Sequence, residues 1–98
     1  MTDQPVALIS AGASGIGLAC ARALAEGGYR VLTLDLDADA IAQFQNEFGE
    51  GSGVVCDVAD AAQVEAAFHS LVDPYQRVDV LFNNAGIAGP SSLWKTSR

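Results

Sequence analysis

The chain has 98 residues, of which half are apolar and only 17% charged, a balance that excludes a disordered polymer and fits one small globular unit. Twelve acidic residues against five basic ones give a net charge of -7, which repels phosphodiester backbones and anionic lipid and argues against nucleic-acid and membrane-surface partners. The opening Met1-Thr2-Asp3-Gln4-Pro5 has no basic cluster, and the apolar run at 6–9 is too short for a signal peptide or a membrane span, so a cytoplasmic location is expected.

Through residue 83, short apolar runs alternate with longer stretches of helical period, the pattern of a parallel sheet with crossover helices. The first run, Val6-Ala7-Leu8-Ile9, is continuously apolar and predicts a central strand covered on both faces. After a Gly-rich turn, a helix is predicted over about residues 16–27, with Ile16, Cys20, Ala23 and Leu24 as its buried face and Gly27-Gly28 as its end. A second strand over residues 30–34 finishes at Asp35. A second helix begins near Asp37 and carries Ile41, Phe44 and Phe48 as an apolar stripe.

A third strand, about 53–56, leads into Asp57-Val58-Ala59, after which Asp60 and Gln63 have the spacing of a capping box. The helix that follows places Val64, Phe68, Leu71, Val72 and Tyr75 on one face, with Pro74 near its end. The fourth strand, 78–82, runs into Asn83-Asn84-Ala85-Gly86, where the regular pattern stops. Cys20 and Cys56 lack metal or redox spacing and read as reduced packing residues. His69 has no ligand-spaced neighbour and reads as a solvated helix position, so no metal site is expected.

The turn Ser10-Ala11-Gly12-Ala13-Ser14-Gly15-Ile16-Gly17 is small enough for a ligand to lie directly against the backbone. Free N–H groups at the helix start near Ile16, reinforced by the helix dipole, favour a pyrophosphate there. Three glycines alone serve tight strand-to-helix packing equally well. Asp35 supplies a second, independent feature: it stands eighteen residues past Gly17, close to the spacing at which a carboxylate reaches the adenosine ribose of a dinucleotide. Such a carboxylate accepts from the 2′- and 3′-hydroxyls of NAD and repels the 2′-phosphate of NADP, for which Ser14 and Leu36 offer no base; NAD is favoured. The competing role for Asp35, capping the next helix, suits Asp37 better.

On these residues the chain resembles the N-terminal, NAD-binding half of the short-chain dehydrogenase/reductase family over roughly residues 5–89. The turn is similar to that family's Thr-Gly-x-x-x-Gly-x-Gly, Asn83-Asn84-Ala85-Gly86 to its second hallmark, and Asp57-Val58 to its Asp-Val pair. The resemblance implies an α/β fold with a Rossmann-type doubly wound parallel sheet, truncated to four strands in order 3-2-1-4 with three helices. It implies that Gly15 and Ile16 meet the pyrophosphate, Asp35 the adenosine ribose, Asp57 and Val58 the adenine, and Asn84, Ala85 and Gly86 the nicotinamide-side ribose, with Ser14 also in the cofactor site and Asn83 bracing the strand ends. It also implies hydride transfer between nicotinamide and an alcohol or carbonyl carbon, and homo-oligomeric full-length relatives.

The family's catalytic tyrosine, with a lysine four residues on, has no counterpart here. Tyr29 and Tyr75 lack that lysine, and the only lysine, Lys95, has Ser91 four residues before it. The 98 residues are therefore expected to be inactive alone. The chain departs from the family at Ser10-Ala11, which stands where the family has Thr-Gly; a left-handed backbone at Ala11 would cost about 1–2 kcal/mol.

The expected domain spans residues 1–89, with 90–98 as an irregular tail. Read from each codon's third base, the tail's codons permit Pro-Val-Glu-Pro-Val-Glu-Asp-Ile-Thr, an ordinary continuation for the family resembled, so a frameshift is expected there ahead of a deliberate truncation or a natural short product. With nothing beyond the fourth strand, Val80, Leu81 and Phe82 would flank an open edge, and the isolated fragment is expected to aggregate. Rival readings are a noncatalytic nucleotide-binding or interaction module and a nonfunctional product.

Overall fold

The computed structural model describes residues 4–13 and 15–83. Strand β1 is Val6–Ser10, helix α1 Gly15–Glu26, β2 Arg30–Asp35, α2 Ala38–Phe48, β3 Gly53–Val55, α3 Ala61–Val72 and β4 Val80–Asn83. The strands form one parallel sheet in the order β3-β2-β1-β4, as the sequence predicts.

Because side chains alternate across a strand, the two central strands feed two separate cores. Val6, Leu8, Leu32 and Leu34 face Val64, Ala67, Phe68, Leu71 and Val72 of α3, while Ala7, Ile9 and Val31 face Ala21 of α1 and Ile41 and Phe44 of α2. Every residue of β1 is buried, which accounts for its unbroken apolar run. The chain steps outward from β1 to β2 to β3 and then returns past β1 to β4. Right-handed crossovers in opposite directions put α1 and α2 on one face and α3 on the other.

Both aspartate caps form as expected. The Asp37 carboxylate accepts from the N–H groups of Asp39 and Ala40, and that of Asp60 from Ala62 and Gln63, each cap being worth about 1 kcal/mol. The Asp60 box is a variant, however, because the Gln63 Oε1 reaches past Asp60 to accept from the Asp57 N–H at 3.0 Å. Ile41 and Phe44 are buried, and the Phe48 ring lies 4.4 Å from that of Phe44. His69 is half-buried, with Nδ1 3.6 Å from the Asp73 carboxylate and its ring edge-on to Phe68.

Two expectations need correction. The buried face of α1 is formed by Gly17 and Ala21, flanked by the half-buried Leu18, Cys20, Leu24 and Ala25, whereas Ile16 is 73% exposed and Ala23 also faces solvent. Apolar periodicity weighs side chains, but the helix approaches the sheet through residues with little or no side chain, which rotates the contact stripe. The fourth strand begins at Val80, two residues later than expected, because Asp79 ties its own chain end: its carboxylate accepts from the Val6 N–H at 2.7 Å and its N–H donates to the Val6 carbonyl at 2.8 Å. Among the described residues, β4 pairs only with β1, and its Val80, Leu81 and Phe82 are half-buried. No helix of the described residues is long and apolar enough to cross a membrane.

The amino ends of the strands carry the polar ties. The Arg30 guanidinium donates to the Tyr75 hydroxyl at 2.8 Å and to the Phe48 carbonyl at 3.3 Å, joining β2, the end of α2 and the segment after α3. Arg77 forms a two-pronged pair with Asp79, which together with the Val6 N–H holds the Asp79 carboxyl below its ordinary value of 3.8. A depressed carboxyl contributes stability that is complete above its ordinary pKa and lost as pH falls through the depressed one. The denaturation midpoint of the native chain should therefore exceed that of Asp79→Asn at about pH 6, with the gap closing as pH drops below 3.8; a pH-independent gap would contradict the assignment.

Candidate functional site

The carboxyl ends of β1 and β2 and the start of α1 meet at the Gly-rich turn. Three consecutive amides there are held by three consecutive residues of β2. The Ala11 N–H donates to the Leu34 carbonyl at 2.7 Å, the Gly12 N–H to Thr33 Oγ1 at 2.8 Å and the Ala13 N–H to Asp35 Oδ2 at 3.3 Å. Thr33 is completely buried, and its hydroxyl donates in turn to the Ile9 carbonyl at 2.7 Å. In sequence this threonine is an ordinary strand residue. Its only signal was a lone hydroxyl inside an apolar run.

Ala11 adopts φ 55°, the left-handed conformation that the departure from Thr-Gly raised as a cost. Gly12 must lack a side chain for another reason: a Cβ would stand 2.7 Å from Thr33 Oγ1 and 2.8 Å from Ile9 Cγ2. Gly15 opens α1 at φ 60° with nothing near its missing Cβ, leaving open space over the first turn. Like those of any helix, the first four N–H groups of α1 have no intrahelical partner, and no acidic side chain occupies that turn. Gly15 and Ile16 are exposed there; Ser14 lies outside the described residues.

Asp35 is half-buried and turned toward the turn, its second oxygen accepting from the Asp37 N–H at 3.1 Å. Asp37, not Asp35, caps α2. Leu36, between them, is 64% exposed and offers an apolar surface beside the carboxylate.

The Asp35 carbonyl also accepts from the Cys56 N–H at 2.8 Å, bringing the end of β3 and the Asp57-Val58 pair alongside. The Asp57 carboxylate accepts from the Ala59 N–H at 3.0 Å, and Val58 packs partly against the α3-side core. Burial, with smaller contributions from the Asp57 and Asp60 charges, pushes the Cys56 thiol up, away from the thiolate form. Asn84, Ala85 and Gly86 lie outside the described residues, as do Ser91 and Lys95; of Asn83, the backbone pairs opposite Ser10 at the carboxyl end of the sheet. The site is thus an exposed helix start, a glycine opening and a carboxylate converging at the carboxyl ends of β1 and β2, the end of the strands at which open α/β sheets bind ligands.

A family model described as short chain dehydrogenase matches residues 5–98. The chain is 43% identical over 90 residues to a D-threitol dehydrogenase of Mycolicibacterium smegmatis, the match covering 88% of this chain and 35% of that protein. Among solved structures, an actinorhodin polyketide ketoreductase variant with NADPH is similar at TM-score 0.75 and 34% identity, covering 96% of this chain and 40% of that one. A 3-ketoacyl-(acyl-carrier-protein) reductase from Brucella melitensis complexed with NADH is similar at TM-score 0.72 and 32% identity, covering 79% of this chain and 32% of that one. The chain therefore spans 32–40% of the length of these relatives.

The turn geometry sets the signs of two substitutions. Ala11→Gly should stabilise the chain by about 0.5–1 kcal/mol, since relief of the left-handed strain exceeds the added freedom of the unfolded glycine. Gly12→Ala should destabilise it by about 1–3 kcal/mol through the clash with Thr33 and Ile9. Urea midpoints measure both, and a loss of stability in Ala11→Gly would show that the residue is not strained.

Proposed function

The chain belongs to the short-chain dehydrogenase family, and from that membership we propose that these residues form the N-terminal, cofactor-binding part of an NAD-dependent oxidoreductase acting on alcohol or carbonyl substrates. The observation that carries the reading is the Asp35 carboxylate turned onto the same turn that opens α1. Both halves of a dinucleotide grip, a carboxylate for ribose hydroxyls and helix N–H groups for the pyrophosphate, then lie within one ligand's reach. When bound, the cofactor supplies hydride exchange at its nicotinamide ring.

In this reading Gly15 and Ile16 line the pyrophosphate, and Ser14 belongs to the same cofactor site. The missing side chain at Gly15 lets the ligand approach the backbone, and the open space found there fits that role. Asp35 accepts from the adenosine ribose, while Asp57 and Val58 hold the adenine. Asn84, Ala85 and Gly86 flank the nicotinamide-side ribose. Solved relatives are complexed with NADPH and with NADH, so family membership does not choose between the cofactors. The choice of NAD rests on Asp35, which would meet a 2′-phosphate with like charge, and on the absence of a base at Ser14 or Leu36. The chain carries no tyrosine with a lysine four residues on, so residues 1–98 alone are proposed to bind cofactor without turning over substrate.

Titration of the purified chain with NAD, NADH and NADP tests this. NAD and NADH should bind, NADP at least about tenfold more weakly, and Asp35→Ala should remove most of the preference. Tighter binding of NADP, or a preference unchanged in Asp35→Ala, would defeat the proposal.

A further inference from the structure

We propose that Thr33 is a positioning residue for the dinucleotide turn, its buried hydroxyl acting as a bolt that holds the turn in its binding shape. The affinity part of this proposal rests on the cofactor reading above. Thr33 Oγ1 bridges the two sides of the turn, donating to the Ile9 carbonyl on β1 at 2.7 Å and accepting from the Gly12 N–H at 2.8 Å. It is 0% exposed, so no water replaces either bond when the hydroxyl is lost.

The bolt sits where it is most needed. Ala11 is held at φ 55°, a conformation that a non-glycine residue abandons unless its surroundings enforce it. The enforcement comes from the amides on either side of the Ala11 Cα, that of Ala11 held by the Leu34 carbonyl and that of Gly12 by the Thr33 hydroxyl. The fit is close, since even a methyl group on Gly12 would stand 2.7 Å from Thr33 Oγ1. Releasing Gly12 would let Ala11 relax, swing the Ala13 amide off Asp35 and shift the entry to α1, although Thr33 is itself fully buried.

Thr33→Val keeps the shape of the side chain and removes the bolt, whereas Thr33→Ser keeps the hydroxyl and removes a methyl group. Amide hydrogen exchange and NAD titration are measured on both and on the unmodified chain. In Thr33→Val, Gly12 exchange should accelerate by about tenfold or more, exchange at Leu8 and Leu32 should hold, and the NAD Kd should rise by about tenfold; Thr33→Ser should restore Gly12 protection and affinity. Unchanged Gly12 exchange and Kd in Thr33→Val overturn the proposal, as does a loss shared equally by all core amides and not rescued by serine.

If Thr33→Val does not fold, Thr33→Ser decides. Native Gly12 protection and affinity in a chain of lower melting temperature support the bolt, and losses that track the melting temperature refute it. Failure of NAD to bind the unmodified chain refutes the cofactor reading, leaving Gly12 exchange to judge whether the hydroxyl holds the turn.

Discussion

Three backbone amides in a row, at residues 11, 12 and 13, are each held by a different residue of β2, and the arrangement of the candidate site follows from that lacing. Residues 10–13 leave β1 under a constraint that forces Ala11 into the left-handed region and leaves no room for a side chain at Gly12. The cost at Ala11, about 1–2 kcal/mol, is comparable to one or two net hydrogen bonds, so the lacing is of the right size to sustain it. With these three amides occupied, the N–H groups at the start of α1 are the ones left to face an anion.

The two ends of the sheet divide the work. At the amino ends, Arg30 with Tyr75 and Asp79 with Val6 and Arg77 join elements distant in sequence, and these ties concern stability. At the carboxyl ends stand the exposed Ile16 and Leu36 and the half-buried Asp35 and Asp57, apolar surface interleaved with carboxylates.

The strands, the helix number and both aspartate caps were legible because each depends on a local or periodic signal: unbroken apolar runs for the strands of a doubly covered sheet, and an acidic residue just before α2 and α3 for the caps; the strand order followed only from the family resemblance. The convergence of Asp35 on the turn was legible from spacing, since a strand of known rise after a helix of known length leaves little choice of position. The α1 face was misread because Gly17 buries backbone rather than side chain, to which a count of apolar residues is blind. The start of β4 was misread because Asp79 uses its side chain where a strand residue would use its backbone. Thr33 escaped notice because threonine is an ordinary strand former, and only the three-dimensional approach of Gly12 gives its hydroxyl a task.

In the proposed function the Asp35 carboxylate and the opening turn of α1 grip the same dinucleotide. A crystal structure of the chain grown with NAD tests this most directly. The adenosine ribose hydroxyls are expected within about 3 Å of the Asp35 carboxylate and the pyrophosphate over the backbone of Gly15 and Ile16. A dinucleotide bound elsewhere, or bound with Asp35 turned away from its ribose, would contradict it.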